Sequence, residues 1–177
     1  YEPTRPAGPG APSRVRGITD AVQVAAGDAH TCVRRTGGQV ACWGYNEHGA
    51  LGDGTTALRL VPVAVQGLGD AIDISAGRQH TCAARANGRV VCWGSNDAGV
   101  LAAEPWLPQT TVPREIPGVQ NAVAISTTLV YEPEPTDDAP GPLRAQTCTV
   151  DRQGHVWCWG ARRPLDPSNP GESEAAR

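Results

Sequence analysis

The chain has 177 residues, 15 basic and 18 acidic side chains, and a formal net charge of -3 at pH 7. This length suits one domain with a moderate core, and the slight acidic excess argues against the basic surface typical of nucleic-acid-binding proteins. No run approaches the roughly 18 apolar residues of a membrane helix, so we expect no membrane span. Lys, Met and Phe are absent, a bias that we interpret as GC-rich bacterial coding.

The first segment, residues 1–16, begins with tyrosine and not with methionine, which indicates a processed product or a fragment. It leads into a Pro-x-x-Val-x-Gly pattern from Pro12 to Gly17 that returns from Pro62 to Gly67. We therefore interpret residues 1–16 as the closing segment of a preceding repeat.

Three copies of one unit follow, and we place them at residues 17–67, 68–118 and 119–160. Each unit has an Ala-[Val/Ile]-x-[Val/Ile] stretch followed by two cysteines, and each ends its hairpin in Cys-Trp-Gly. The stretches AVQVAA and AIDISA place branched side chains at alternate positions, the period of a β-strand. The sequence therefore predicts an all-β protein built of repeats.

The two cysteines of each unit lie ten positions apart, which favours a hairpin with the cysteines opposite each other. In the first unit this register leaves the three-residue loop Thr36-Gly37-Gly38. Such a loop needs a left-handed residue at its last position, which glycine adopts without steric penalty. Glycines stand at that position in all three units: Gly38, Gly88 and Gly154.

Opposed cysteines on antiparallel strands have Cα atoms about 4.5–5.5 Å apart, within reach of a disulfide. Each bond would close a short loop and contribute roughly 2–3 kcal/mol. The alternative is a zinc site that includes His30, but Gln146 stands at the equivalent position in the third unit while both cysteines remain. Reactive thiols are the weaker alternative, because no cysteine is left over. We therefore predict three disulfides and no metal: Cys32–Cys42, Cys82–Cys92 and Cys148–Cys158.

The stretch VQVAAGDAHTCVRRTGGQVACWGYNEHGALGDGT resembles a repeat of the regulator of chromosome condensation family. It has the family's Ala-Gly-x-x-His segment, its Trp-Gly-x-Asn turn and its Gly-x-Leu-Gly ending. The second unit departs at Ala102, and the third keeps little beyond its hairpin, with Thr128 in place of a glycine. The cysteine pairs resemble the secreted bacterial branch of the family.

The resemblance implies a β-propeller of four-stranded blades, usually seven in this family. Three units give three blades, fewer than the 4–8 of closed propellers, and an open arc exposes strand edges. The chain is therefore expected to be a partial propeller, half of an oligomeric ring formed by two copies, or an arc completed by a partner.

The third unit carries about fifteen extra residues, which we place in an inserted loop, residues 129–143. This loop is acidic and rich in proline, and long loops on a rigid scaffold commonly bind partners, although a solvated loop without a partner is equally expected. Its candidate binding residues are Tyr131, Glu132, Glu134, Asp137 and Asp138. The tail, residues 161–177, has no repeat pattern and is predicted to be flexible.

The resemblance also implies that one blade edge contacts protein partners. The loops Asp28-Ala29-His30 and Arg78-Gln79-His80 lie on that edge, which makes Asp28, His30, Arg78, Gln79 and His80 candidate partner-binding residues. A structural role for both histidines is the alternative, with a ring nitrogen bonded to a neighbouring backbone carbonyl.

The chain has no catalytic motif such as Gly-x-Ser-x-Gly, His-Glu-x-x-His or a phosphate loop, so we expect neither an enzyme nor a cofactor. We predict a secreted, cell-surface or periplasmic protein–protein interaction module that binds a protein partner or other copies of itself. One alternative is a structural subunit that self-assembles into a ring or array. Another is a carbohydrate-binding or hydrolytic propeller.

Overall fold

The computed structural model describes residues 12–97, 99–102, 107–131 and 143–160. Every regular element in these ranges is a β-strand, which confirms the predicted all-β class. The strands are β1 Ala21–Ala26, β2 His30–Arg35, β3 Val40–Gly44, β4 Arg59–Ala64, β5 Ala71–Ala76, β6 His80–Arg85, β7 Val90–Ser95, β8 Gln109–Glu115, β9 Ala122–Tyr131, β10 Leu143–Asp151 and β11 Val156–Gly160.

The strands form three antiparallel sheets in which neighbours in sequence are neighbours in space. We call them blade 1 (β1–β4), blade 2 (β5–β8) and blade 3 (β9–β11). Blades 1 and 2 have the four strands that the family resemblance implies, whereas blade 3 has three within the described residues. This up-and-down order follows the general tendency of consecutive strands to pair with each other.

The central hairpin of each blade has the predicted register. Cys32 pairs with Cys42, and the same register recurs in the other two blades. The last loop residue is left-handed in each hairpin, with φ of +84° at Gly38, +79° at Gly88 and +87° at Gly154. The three predicted cysteine pairs are disulfides, each with a Cα–Cα distance of 4.1 Å, slightly shorter than expected.

Two apolar cores lie between the blades and not within them, because a single sheet cannot bury its own faces. The core between blades 1 and 2 contains Cys32, Val40, Leu51, Ile74 and Trp93. The core between blades 2 and 3 contains the equivalent residues one repeat later: Cys82, Val90, Leu101, Ile125 and, partly buried, Trp159. The side of a blade that carries the disulfide thus faces the following blade.

The hairpin tryptophans of blades 2 and 3 link each of these blades to the preceding one. Trp93 is fully buried, and its indole Nε1–H donates to the carbonyl of Ala50 at 2.8 Å. Trp159 makes the same bond to the carbonyl of Val100 at 2.7 Å.

Replacing Trp93 by phenylalanine should lower the free energy of unfolding by about 1–3 kcal/mol, because the buried Ala50 carbonyl loses one of its two donors and the smaller ring leaves packed space unfilled. Urea titration, monitored by circular dichroism, measures this loss of stability. Trp157→Phe is the matched control, because Trp157 is 46% exposed and its Nε1–H makes only a long bond of 3.3 Å to Asp151. Asp151 keeps its bonds from the Gln153 and His155 amides, so this replacement should change stability by about 0.5 kcal/mol or less. Equal losses for the two variants would contradict the proposed role of the buried bond.

The inserted loop of blade 3 is shorter than the predicted range, residues 129–143, because both ends of that range belong to strands. Strand β9 continues to Tyr131 and β10 begins at Leu143, so that these strands have 10 and 9 residues where β1 and β2 have 6 each. The added pairs run from Thr128↔Gln146 to Tyr131↔Leu143. The β-forming residues Leu-Val-Tyr continue the ladder, because nothing in their pattern ends a strand.

Within the parts of the chain that the structure describes, no helix has the length and apolar character needed to span a membrane.

Candidate interaction surface

The β1–β2, β5–β6 and β9–β10 connections all lie at one end of the strands, together with the residues that follow β3. We call this end the loop edge. It is formed by residues 27–29 and 77–79, by residues 45–50 and by the extended β9–β10 hairpin.

Three of the predicted partner-binding residues lie on the surface of the loop edge. Asp28 is exposed, and Arg78 and Gln79 are partly exposed. The Arg78 Nε and the Asp28 Oδ2 lie 3.6 Å apart, so this ion pair connects the loops of blades 1 and 2. Because both side chains reach water, the pair is weak and its charges remain available to a partner.

The other two predicted residues of these loops, His30 and His80, lie in the interior with exposures of 4% and 3%. The Nε2 of His30 is 2.8 Å from the Thr81 hydroxyl, which itself donates to the Ala50 carbonyl. Since that hydroxyl has one proton to give, His30 must be the donor with its proton on Nε2. His80 is placed in the same way, 3.4 Å from the Thr147 hydroxyl.

Burial lowers the pKa of both histidines to about 4. For His30 the nearby Asp28 charge opposes this effect of burial, and for His80 the neighbouring His30 adds to it. Both rings are therefore neutral at pH 7 and connect adjacent blades. The ring nitrogens bond a threonine of the next blade and not the expected backbone carbonyl. The signal for this contact is the threonine that precedes the first cysteine in every unit.

A small cleft next to the ion pair contains three residues that the sequence reasoning missed. Tyr45 is 44% exposed, and its hydroxyl donates to the carboxylate of Glu47. The Nδ1 of His48 lies 3.2 Å from the Gln109 Oε1 of blade 2. The cleft holds about 10 Å³, room for about one water molecule. The available signal was a break in the repeat, because Ser95 occupies the position of Tyr45 in the second unit.

The extended hairpin β9–β10 lies at the same edge. Thr127 is equivalent to Ala26 at the end of β1, so β9 continues four residues beyond that point, about 13 Å at about 3.3 Å per residue. Tyr131 is the last residue of β9, and its side chain lies outside the described part. The other predicted residues of the insertion, Glu132, Glu134, Asp137 and Asp138, lie outside the described residues.

The loop after β3 in blade 1 is held by its own side chains. Asp53 lies 2.8 Å from the Arg59 Nε and accepts hydrogen bonds from the amide and hydroxyl of Thr55. Burial acts to raise the pKa of Asp53, but the bonds from Thr55 and Arg59 together lower it. Its carboxylate is therefore satisfied within the turn. Among the described residues, no three His, Cys, Asp or Glu side chains converge as metal ligands would.

Comparison with protein families identifies the repeat. The profile of the "Regulator of chromosome condensation (RCC1) repeat" matches residues 37–84, and a second profile of the same repeat matches residues 21–50 and 71–100. These matches cover blade 1 and three of the four strands of blade 2. No curated protein sequence is similar enough to this chain to count as a relative.

Solved structures share the fold at low sequence identity. Human WBSCR16 is 22% identical with a TM-score of 0.67, and the match covers 84% of this chain and 35% of that one. Yeast RCC1 (Prp20), solved bound to Kap60, is 16% identical with a TM-score of 0.62, covering 81% and 33%. Prp20p from Saccharomyces cerevisiae is 20% identical with a TM-score of 0.56, covering 77% and 31%.

The chain thus spans about a third of the length of these structures. The resemblance seen in the sequence is confirmed, while the secreted bacterial branch stays a prediction. The chain carries repeats of the regulator of chromosome condensation (RCC1) family, and its three sheets are blades of an RCC1-type propeller.

Proposed function

We propose that this chain is a non-enzymatic protein-binding module that holds its partner at the loop edge. The observation that carries the proposal is the exposed cluster of Tyr45, Glu47, Asp28 and Arg78, which spans two blades. Tyrosine and arginine are, with tryptophan, the residues most enriched at the energetic centre of protein interfaces. Here they are presented by loops on a rigid sheet scaffold, the usual arrangement of binding sites.

The chemistry of the edge fits a protein partner better than a small molecule. A cleft of about 10 Å³ is far below the roughly 300 Å³ of a ligand pocket. The mixed charges of Asp28, Glu47 and Arg78 do not form the basic surface that nucleic acids require. The titratable rings nearest the cleft belong to His30 and to His48, and His30 is buried and bonded to Thr81. This arrangement supports a binding role and not acid–base catalysis.

The extended β9–β10 hairpin enlarges the proposed surface. It projects from blade 3 at the loop edge, the same edge that carries Tyr45. The predicted residues Tyr131, Glu132, Glu134, Asp137 and Asp138 would add an aromatic group and negative charge there. A partner with a positively charged surface would fit this arm.

We further propose that the chain works in an oxidising compartment: outside the cell, on its surface or in the periplasm. Three disulfides in a chain of this size support this, since such bonds persist in oxidising surroundings and are rare in the cytosol. Yeast RCC1 (Prp20), which has a similar fold, was solved bound to Kap60, which shows a protein of this fold in a protein complex.

Site-specific photo-crosslinking tests the binding surface. A photoreactive phenylalanine analogue at position 45 should form a discrete adduct with a protein from a surface and secreted extract of the source organism. The same analogue at position 89, on the opposite edge of blade 2, should not. Arg78→Glu should reduce the adduct about tenfold, the effect of losing one important contact, while Arg89→Glu should not change it. Equal adducts from both edges, or an adduct unaffected by Arg78→Glu, would contradict the proposal.

A further inference from the structure

Two imidazole rings, those of His30 and His48, line the cleft between the loops of blades 1 and 2. Because the Nε2–H of His30 donates to Thr81, its Nδ1 can only accept a hydrogen bond, and at 4% exposure the ring has little contact with water. The Nδ1–H of His48 donates to the Gln109 Oε1, so in the neutral ring its Nε2 is an acceptor as well. No residue that the structure describes donates to either of these two nitrogens. The lining of the cleft therefore contains acceptors that an entering N–H donor can fill.

Glu47 gives the same cleft a negative charge. Its carboxylate accepts a bond from the Tyr45 hydroxyl and takes part in no ion pair among the described residues. Arg78 also lines the cleft, but its Nε lies 3.6 Å from the Asp28 carboxylate, which offsets the charge of the guanidinium. Two carboxylates and a single guanidinium leave a negative excess at the cleft, which favours a cation over an anion.

The room in the cleft selects the kind of cation. A volume of about 10 Å³ holds about one water molecule. An ammonium group has nearly that size and carries only N–H donors, whereas a guanidinium is a larger planar group. The ring of Tyr45, which is 44% exposed, also attracts a cation that lies over its face. The acceptors, the charge and the room of the cleft are therefore all suited to the end of a lysine side chain.

The composition of the chain excludes a second copy of these residues as the source of that side chain. All 15 basic side chains of the sequence are arginines, and lysine is absent. The cleft also differs from its counterpart one repeat later, since Ser95 stands at the position of Tyr45. It is thus a feature of the contact between blades 1 and 2 and not of the repeat in general.

We propose that the protein bound at the loop edge is anchored by one of its lysines, whose ammonium group enters this cleft. This inference rests on the proposed function and names the chemistry of the partner's central contact. The ammonium donates to the Glu47 carboxylate and to the free imidazole nitrogens, and the aliphatic part of the lysine lies against Tyr45. Arg78, on the blade 2 side of the cleft, contacts a different group of the partner. Arg78→Glu and Glu47→Gln therefore remove separate contacts.

Titration with Nα-acetyl-lysine methylamide, followed by nuclear magnetic resonance, tests the cleft without the partner. The probe should bind with millimolar affinity and give saturable shifts of the backbone amides of residues 45–48 and 78–79. Nα-acetyl-arginine methylamide and the Nε-acetylated lysine probe should bind at least about tenfold more weakly, because the first is too large and the second has lost its charge. Equal affinity for the arginine probe, or no saturable shift with the lysine probe, would overturn the proposal.

Glu47→Gln is the informative variant, because glutamine removes the charge but keeps the length of the side chain and an acceptor for Tyr45. It should bind the lysine probe about tenfold more weakly or worse. Glu115→Gln is the matched control, since this exposed carboxylate lies at the end of β8, on the edge opposite the loop edge, and pairs with Arg89. Its affinity for the probe should equal that of the wild type. Equal affinities of all three proteins would contradict the role of Glu47.

Carbodiimide crosslinking in the same extract tests the lysine in the complex. The reagent activates a carboxylate, an amine of the partner attacks it to form an amide, and the reagent leaves as a urea. Because this chain has no lysine, a link between side chains must join one of its carboxylates to a lysine of the partner. Mass spectrometry should find Glu47 in the linked peptide, and Glu47→Gln should reduce the adduct about tenfold while Glu115→Gln leaves it unchanged.

The two crosslinking experiments separate the lysine anchor from the proposed function. A photo-adduct from position 45 without a carbodiimide link at Glu47 would overturn the anchor and leave the binding surface in place. The absence of both adducts would contradict the binding surface, and the anchor with it.

Discussion

Lowering the pH from 7 to 4 should destabilise the wild-type chain by several kcal/mol more than a variant in which both His30 and His80 are glutamine. In the folded chain the pKa of each histidine is about 4, mainly because burial disfavours the charged ring. In the unfolded chain the rings take up protons near pH 6.5. The unfolded state therefore binds more protons between these values, and stability falls as the pH drops from about 6.5 towards 4. At about 1.4 kcal/mol per pH unit, each histidine contributes up to about 3 kcal/mol.

Glutamine is a suitable replacement because the fold already has it at this position. Gln146 pairs with Gly160 in blade 3 as His30 pairs with Gly44 in blade 1. The free energy of unfolding in urea at pH 7.5, 6, 5 and 4 gives the two profiles. The variant should be less stable at neutral pH, since the bond to Thr81 is altered, but its profile should be flatter.

His155→Gln provides the control for this experiment. The side chain of His155 is 70% exposed, so its replacement should leave the acid-dependent loss in place. Parallel profiles for the wild type and the double glutamine variant would show that the two buried rings do not cause the acid sensitivity.

Removing the disulfide of the central blade should lower the free energy of unfolding by about 3–4 kcal/mol. Cys82 and Cys92 are separated by ten residues, and closing a loop of that size contributes about 3 kcal/mol through the entropy of the unfolded chain. Both residues are fully buried in the core between blades 2 and 3, so alanine substitution also removes packed atoms there. Guanidinium titration of the Cys82→Ala, Cys92→Ala double variant measures the sum.

The matching double variant, Cys148→Ala with Cys158→Ala, separates the two contributions. Its loop has the same length, but both residues are only partly buried. We expect a loss closer to 2–3 kcal/mol, since little packing is lost. A loss below about 1 kcal/mol for either variant would contradict the loop-entropy argument. Before titration, the unreduced wild-type protein should weigh two hydrogens less for each bond.

The proposed binding surface was predictable in part. The repeat pattern placed Asp28, Arg78 and Gln79 on one edge, because equivalent loops between equivalent strands lie at the same end of each blade. Tyr45 was missed because it does not recur in the second unit. The repeated positions therefore gave no reason to select it. The buried position of His30 was not foreseeable from the unit alone, since it depends on Thr81 in the next blade.

By itself, the sequence determined the strands, the hairpin register and the disulfides. These depend on neighbours within about ten residues, where side-chain period, glycine conformation and cysteine spacing act together. Only the tertiary structure decided which residues are buried. Val40 and Val156 occupy the same position of the same unit, yet one is 1% and the other 68% exposed. Val40 is covered by the following blade, about fifty residues further along the sequence, and among the described residues no sheet covers Val156. Burial therefore depends on the neighbouring sheet and not on the type of residue.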